Sequence, residues 1–137
     1  MNYNPLDIYG AWIAGVPDAW PDDAREWAHR EFIDTVAVMV PGAVEPVAHK
    51  LFATVAPWGL GPCTVFGQQQ GLAAPWAALV NGTIAHALDF DDNFDPPKAH
   101  PTTVLFPAIM AVAQEQQLSG AACIDAYIVG LQILGRI

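Results

Sequence analysis

The residues most able to do chemistry lie between 81 and 101, NGTIAHALDFDDNFDPPKAHP, where four aspartates, two histidines and one lysine crowd a short stretch. Folding alone does not require polar groups at this density. Like charges held close together raise some carboxylate proton affinities, and a nearby imidazole stabilises an ionised partner, which tunes an acid/base pair near neutral pH. His86 and Asp89 are three residues apart and are expected to share a helix face. Asp91, Asp92, Asp95, Lys98 and His100 fall on or near the loop that follows. Two other readings stand beside acid/base catalysis. The Asp-Phe-Asp-Asp run suits a hard divalent cation, although it lacks the ligand spacing of an EF-hand loop. An acidic loop at a helix exit can also be solvated surface, with His86 a satisfied helix histidine. His29 and His49 sit in helices without acidic companions and are assigned to structure.

Such a constellation needs rigid elements to hold it. The spacing of Trp76, Leu79, Val80, Thr83, Ile84, Ala87 and Leu88 predicts a helix from Ala73 to Asp89, continuing through Asn81-Gly82 although that dipeptide ordinarily marks a turn. On the far side of the loop, TTVLFPAIMAVAQEQQ is apolar nearly all round and predicts a buried helix. Pro107 is tolerated only in a first turn, so regular helix is expected to begin close to it. Ser119 is a candidate N-cap for a last helix with Ile124, Tyr127, Ile128, Leu131 and Leu134 on one stripe.

Upstream, Asn4-Pro5 opens a short helix through Leu6, Tyr9, Trp12 and Ile13 that stops at Gly15 and Pro17. A second helix starts at Pro21-Asp22-Asp23, carries Trp27, Phe32, Val36 and Met39 near one face, and ends at Pro41-Gly42. A third runs from Val44 to about Val55 and closes at Pro57. The loop WGLGP is too rich in breakers to continue any element, and Thr64-Val65-Phe66 reads as a brief extended piece. Six helical segments and almost no strand predict an all-α architecture.

A chain of 137 residues with 53% hydrophobic and 14% charged content builds one globular unit. Five basic against 14 acidic residues, net charge −9, exclude a nucleic-acid partner by charge, since no Lys/Arg cluster exists to release counterions. The most apolar stretch, Val104 to Ala113, is about half the roughly 20 residues of a membrane span. The N-terminus lacks the basic n-region of a secretory signal, so a cytoplasmic location is expected. Cys63 and Cys123 have no metal-binding spacing and read as buried thiols. Two thiols are too few for a dehydratase iron–sulfur cluster.

The motif NGTIAHALDFDD, the following His100-Pro101, then PAIMAVAQ and SGAACIDAYIVGLQILGRI, together resemble the MmgE/PrpD family, which includes 2-methylcitrate dehydratase and cis-aconitate decarboxylase. FIDTVAV and CTVFGQQQGLAAPWAALVNG are weaker echoes upstream. The resemblance covers most of the chain. It implies a lyase acting on citrate-like tricarboxylates without a metal or other cofactor, commonly homodimeric, built from a large helical domain and a smaller lid domain. Residues 1–137 would be the N-terminal helical part without the lid. Asp89 and His100 match positions that line the family's catalytic pocket. His100 is expected to act as general acid/base with Asp89 orienting it or sharing the proton; His86, Asn93 and Lys98 are expected to contact substrate or support the pair. Asn93 stands where the family usually has threonine, Gln132 where many members have glutamate, and the Asp89–His100 loop is one residue longer than in some.

Dehydrating such an acid takes a base for the carbon-bound proton, an acid for the hydroxyl and cations for the carboxylates. The chain offers the first two. Lys98 alone is too little positive charge for a trianion beside Asp89, Asp91 and Asp92. The chain alone is therefore expected to be inactive, as a fragment, a split-gene product or a decayed gene, whose last helix is cut without a cap and whose exposed apolar face favours self-association. The alternatives are a small helical binding module that has lost its chemistry and a divalent-metal protein.

Overall fold

The structure, a computed structural model, describes residues 4–16, 20–95 and 98–136. Among them are helices α1 (Pro5–Ala14), α2 (Asp22–Gly42), α3 (Pro46–Val55), α4 (Ala74–His86), α5 (Pro101–Gln116) and α6 (Gly120–Leu134), and one short strand, β1 (Leu60–Cys63). The all-α expectation holds. No single described helix is long and apolar enough to cross a membrane.

The helix starts follow local chemistry. Asn4 accepts the Leu6 amide at 3.1 Å with Pro5 at the first position of α1, and Ser119 accepts the Ala122 amide at 3.2 Å to open α6; each satisfies an otherwise orphaned donor. Pro17, expected to help stop α1, lies outside the described residues. Within α2, Met39 is fully buried and Phe32 faces the interior, whereas Trp27 is exposed with Arg30 stacked 4.7 Å over its ring. Short side chains, Ala28 and Thr35 among them, make up much of the buried face instead.

The core gathers Met39, Val55, Cys63, Val65, Leu72, Val80 and Ile84 from five successive segments. A smaller cluster of Ala28, Ile124, Tyr127 and Ile128 joins α2 to α6. Phe32 links the two through edge-on contacts, 4.8 Å to the Phe106 ring and 5.4 Å to that of Tyr127.

Asn81-Gly82 is interior helix rather than turn. Asn81 is buried and clamps the extended segment beside it, accepting the Phe66 amide at 3.0 Å and donating to the Thr64 carbonyl at 2.8 Å. Gly82 lets α5 come close: a Cβ there would sit 3.0 Å from the Thr103 carbonyl oxygen. Pro107, four residues beyond Thr103, has no N–H to offer that carbonyl.

Three sequence expectations are corrected. Helix α5 starts at Pro101, not near Pro107, because α4 packs against the carbonyl that Pro107 leaves free and Pro101 supplies the favoured first-turn proline. Helix α4 ends at His86, three residues short of Asp89. The paired strand is Leu60–Cys63, bridged to Leu72, rather than Thr64–Phe66. There the glycines allow close approach, since a Cβ on Gly61 would meet the Ala73 backbone nitrogen at 2.5 Å. The last helix, α6, ends at Leu134, with the Gly135 amide on the Leu131 carbonyl at 3.0 Å.

Candidate functional site

The site forms where α4 hands over to α5. Past His86 the chain turns sharply, with the Asp89 amide bonded to the His86 carbonyl at 3.2 Å and Asp89 itself in left-handed conformation at φ 56°. Aspartate tolerates that region better than most residues, but at a cost. His86 and Asp89 therefore do not share a helix face, although the turn leaves His86 Nδ1 4.0 Å from Asp89 Oδ1.

Asp91 then points inward, its side chain only 1% exposed. Its Oδ1 and Oδ2 lie 3.0 and 3.1 Å from His86 Nδ1. Its Oδ2 lies 3.3 Å from His100 Nδ1. The His86 and His100 rings stand 4.8 Å apart, one at the end of α4 and one at the start of α5. On the solvent side, the exposed Asp89 places Oδ1 3.7 Å from His100 Nε2. Asp89 and His100, expected as a pair, are thus brought together, and His86 joins them.

Asp92 anchors the assembly. No side chain at the His100 N-cap position caps α5; Asp92 does so across the loop, accepting the Thr102 amide at 3.1 Å and the Thr102 hydroxyl at 2.7 Å. A carboxylate at a helix N-terminus also complements the macrodipole. Thr102 Oγ1 in turn meets Tyr127 Oη at 2.7 Å. Burial raises the Asp92 carboxyl above its ordinary range, with Asp91 adding to the rise, while the two Thr102 hydrogen bonds and His100 oppose it. Burial likewise pushes the Tyr127 phenol up to about 12, so it remains a neutral donor.

Between Asp92 and His100 the loop folds on itself through paired Phe94 and Ala99 backbone bonds of 2.8 and 3.2 Å. Lys98 sits in this small hairpin, exposed and ion-paired with Asp95. Asn93 lines a cavity of about 340 Å³ with Glu31, Asp92, Tyr127 and Gln132. Burial is the main cause that raises the Glu31 carboxyl, with Asp92 and Asp34 adding to it.

From sequence, Asp91 and Asp92 belong only to a run that suits a hard cation and Tyr127 only to an apolar stripe; the bonds that tie Asp92, Thr102 and Tyr127 together come from the fold. The available signal was the hydroxyl of Thr102 directly after His-Pro, where a loop carboxylate can cap the new helix.

Positive charge is scarce at the site. Arg25 is paired with Asp125, Arg30 with Glu26 and Lys98 with Asp95. Among the described residues, His86, Asp89, Asp91 and His100 bring ligand-type atoms within 4.8 Å of one another and could hold a divalent cation. As it stands, the arrangement is an imidazole with one nitrogen against a buried carboxylate and the other beside an exposed one, a geometry able to take up and return a proton.

Comparison with known proteins agrees with this architecture. Residues 10–137 match the MmgE/PrpD N-terminal domain. The chain is 35% identical over 79 residues to human cis-aconitate decarboxylase, covering 54% of this chain and 16% of that protein. It is 30% identical over 114 residues to the mouse enzyme, covering 79% and 23%. It is 25% identical over 135 residues to the cis-aconitate decarboxylase-like protein oryM of Aspergillus oryzae, covering 92% and 28%. The matched region spans between 16% and 28% of these relatives' own length. With the family's domain matched over nearly all of its residues, the chain belongs to the MmgE/PrpD family.

Proposed function

We propose that residues 1–137 form the acid/base wall of a lyase site that acts on citrate-like tricarboxylic acids. The observation that carries this reading is the placement of His100 Nε2 3.7 Å from the exposed carboxylate of Asp89, with the buried Asp91 behind the same ring. In a dehydration, Nε2 takes the carbon-bound proton, the new double bond expels the hydroxyl, and the imidazolium gives that proton back, directly or by way of Asp89, to make it water. In a decarboxylation, the carbon–carbon bond breaks to release carbon dioxide, and the imidazolium protonates the electron pair left on carbon. The relatives named above are called cis-aconitate decarboxylases, so cis-aconitate is the first substrate to test, with 2-methylcitrate beside it. His86, Asn93 and Lys98 are assigned to support or substrate contact within this reading.

A tricarboxylate also needs cations, and the site presents four aspartates against one paired lysine. The carboxylate-binding half is therefore assigned to polypeptide outside residues 1–137, and these residues alone are expected to turn over neither acid. Self-association through the apolar groove between α2, α5 and α6, lined by Phe32, Ile33, Val36, Met110, Leu118 and Ile124, belongs to the same proposal. The test is a chimera in which residues 10–137 replace the matching domain of the mouse enzyme. Release of carbon dioxide from cis-aconitate, or of water from 2-methylcitrate, supports the reading. A folded chimera inert on both acids contradicts it.

The cation reading has one observation in its favour, the four clustered ligand-type groups. Magnesium, calcium or zinc that binds only the native state must raise its melting temperature. An unchanged melting temperature with all three removes that reading.

A further inference from the structure

We propose that Asp91 is a positioning residue that holds both neighbouring imidazoles with the proton on Nδ1, so that His100 presents a bare, basic Nε2 toward Asp89 and the substrate. The catalytic meaning of this arrangement rests on the acid/base reading of His100; the arrangement itself rests on geometry. Both Nδ1 atoms face the same carboxylate, His86 at 3.0 Å and His100 at 3.3 Å. An ionised carboxylate only accepts hydrogen bonds. A lone pair on either Nδ1 would oppose its oxygens, whereas a proton there is attracted to them.

The His86 contact satisfies hydrogen-bond geometry and the His100 contact does not: its ring lies at ion-pair distance but off the line a hydrogen bond needs, and its Nδ1 is buried without a partner among the described residues. Asp91 Oδ2, buried and 3.3 Å away, is the acceptor that stands beside this nitrogen. The competing form puts the proton on Nε2, facing Asp89. That carboxylate is farther away, 3.7 Å against 3.3 Å, and its side chain is 75% exposed against 1% for Asp91, so water screens it.

One carboxylate thus sets two tautomers, opposite to the Nε2–H form that a free neutral imidazole favours. The form at one ring nitrogen is fixed by the hydrogen bond at the other. When Nε2 takes a proton from carbon, the resulting imidazolium stands between Asp89 and the buried Asp91, which stabilises the charge it has just acquired. Were Nε2–H the resting form, His100 could only donate at that nitrogen, and the order of proton transfers would reverse.

The experiment is nitrogen-15 NMR on the full chain labelled at histidine, recorded where the imidazoles are neutral, with His86→Asn and His100→Asn used only to assign signals. His29 and His49, both exposed, give the ordinary pattern for comparison. The expected wild-type spectrum has protonated Nδ1 and unprotonated Nε2 shifts for both His86 and His100. Asp91→Asn has a single acceptor oxygen, so at least one ring is expected to revert to the Nε2–H pattern. A wild-type spectrum with either ring mainly in the Nε2–H form overturns the proposal, as does a folded Asp91→Asn protein with both tautomers unchanged. If Asp91→Asn does not fold, the wild-type spectrum decides by itself. Failure of the acid/base reading would appear separately, as turnover by the chimera that survives His100→Asn while the tautomers stand as described.

Discussion

Thr102 Oγ1 and Tyr127 Oη lie 2.7 Å apart in the interior and join the first turn of α5 to the middle of α6. The Thr102 hydroxyl has one proton, which it gives to Asp92, so Tyr127 donates to Thr102. Replacing Thr102 by valine keeps the shape but strands the phenol and removes one acceptor bond of Asp92. A stability loss of about 2 kcal/mol is expected, on the scale of leaving a buried polar group unsatisfied. Urea unfolding of Thr102→Val checks it, and a midpoint equal to wild type would show that the chain of bonds carries no weight.

Two glycines are expected to respond in opposite directions to the same change. A Cβ on Gly42 would lie 2.1 Å from the Ile84 carbonyl oxygen, where α2 meets α4, whereas one on Gly10 of α1 meets nothing within 4 Å. Gly42→Ala must push two helices apart and is expected to cost about 3 kcal/mol or more. Gly10→Ala gains helix propensity and is expected to stabilise by up to about 1 kcal/mol. Thermal melts of the two variants read the signs directly, and a Gly42→Ala protein as stable as wild type would refute the close contact.

The class and the helix count were legible because apolar spacing runs unbroken through α4, α5 and α6, and because Asn4-Pro5 and Ser119 are local signals. Other features were not, for physical reasons. The start of α5 depends on how α4 meets a carbonyl freed by Pro107, a contact between residues far apart in sequence. The helix through Asn81-Gly82 was legible from the unbroken apolar spacing, but the clamp of Asn81 on Thr64 and Phe66 was not. At the site, residue types located the cluster, but nothing in one dimension distinguishes Asp91, turned inward between two rings, from Asp89, turned outward at φ 56°.

That left-handed conformation should cost stability and be retained for what the side chain does. Asp89→Gly relieves the strain and is expected to raise stability by about 1 kcal/mol or less, while removing the carboxylate from the proposed acid/base pair. Melting temperature and turnover of the chimera are the paired readouts. A variant that melts lower than wild type would mean that Asp89 is held by favourable contacts rather than against strain.

The Glu31 carboxyl lies above its usual value of 4.5, chiefly through burial and then through Asp92 and Asp34. The folded state holds this proton more tightly than the unfolded chain. Its favourable contribution is full below the unfolded value and is lost as pH rises through the folded one. Glu31→Gln removes that loss. It should melt higher than wild type at about pH 7 and gain little at about pH 4. An equal or lower melting temperature at about pH 7 would contradict the sign.

The central claim is that His100 moves the proton. The direct measurement is kcat on cis-aconitate, and on 2-methylcitrate, for the chimera carrying residues 10–137, with His100 intact and with His100→Asn. Loss of a positioned general acid/base is expected to lower kcat by about 10²-fold or more while the chimera stays folded. A folded His100→Asn chimera whose kcat stays within a few-fold of its parent would contradict the assignment.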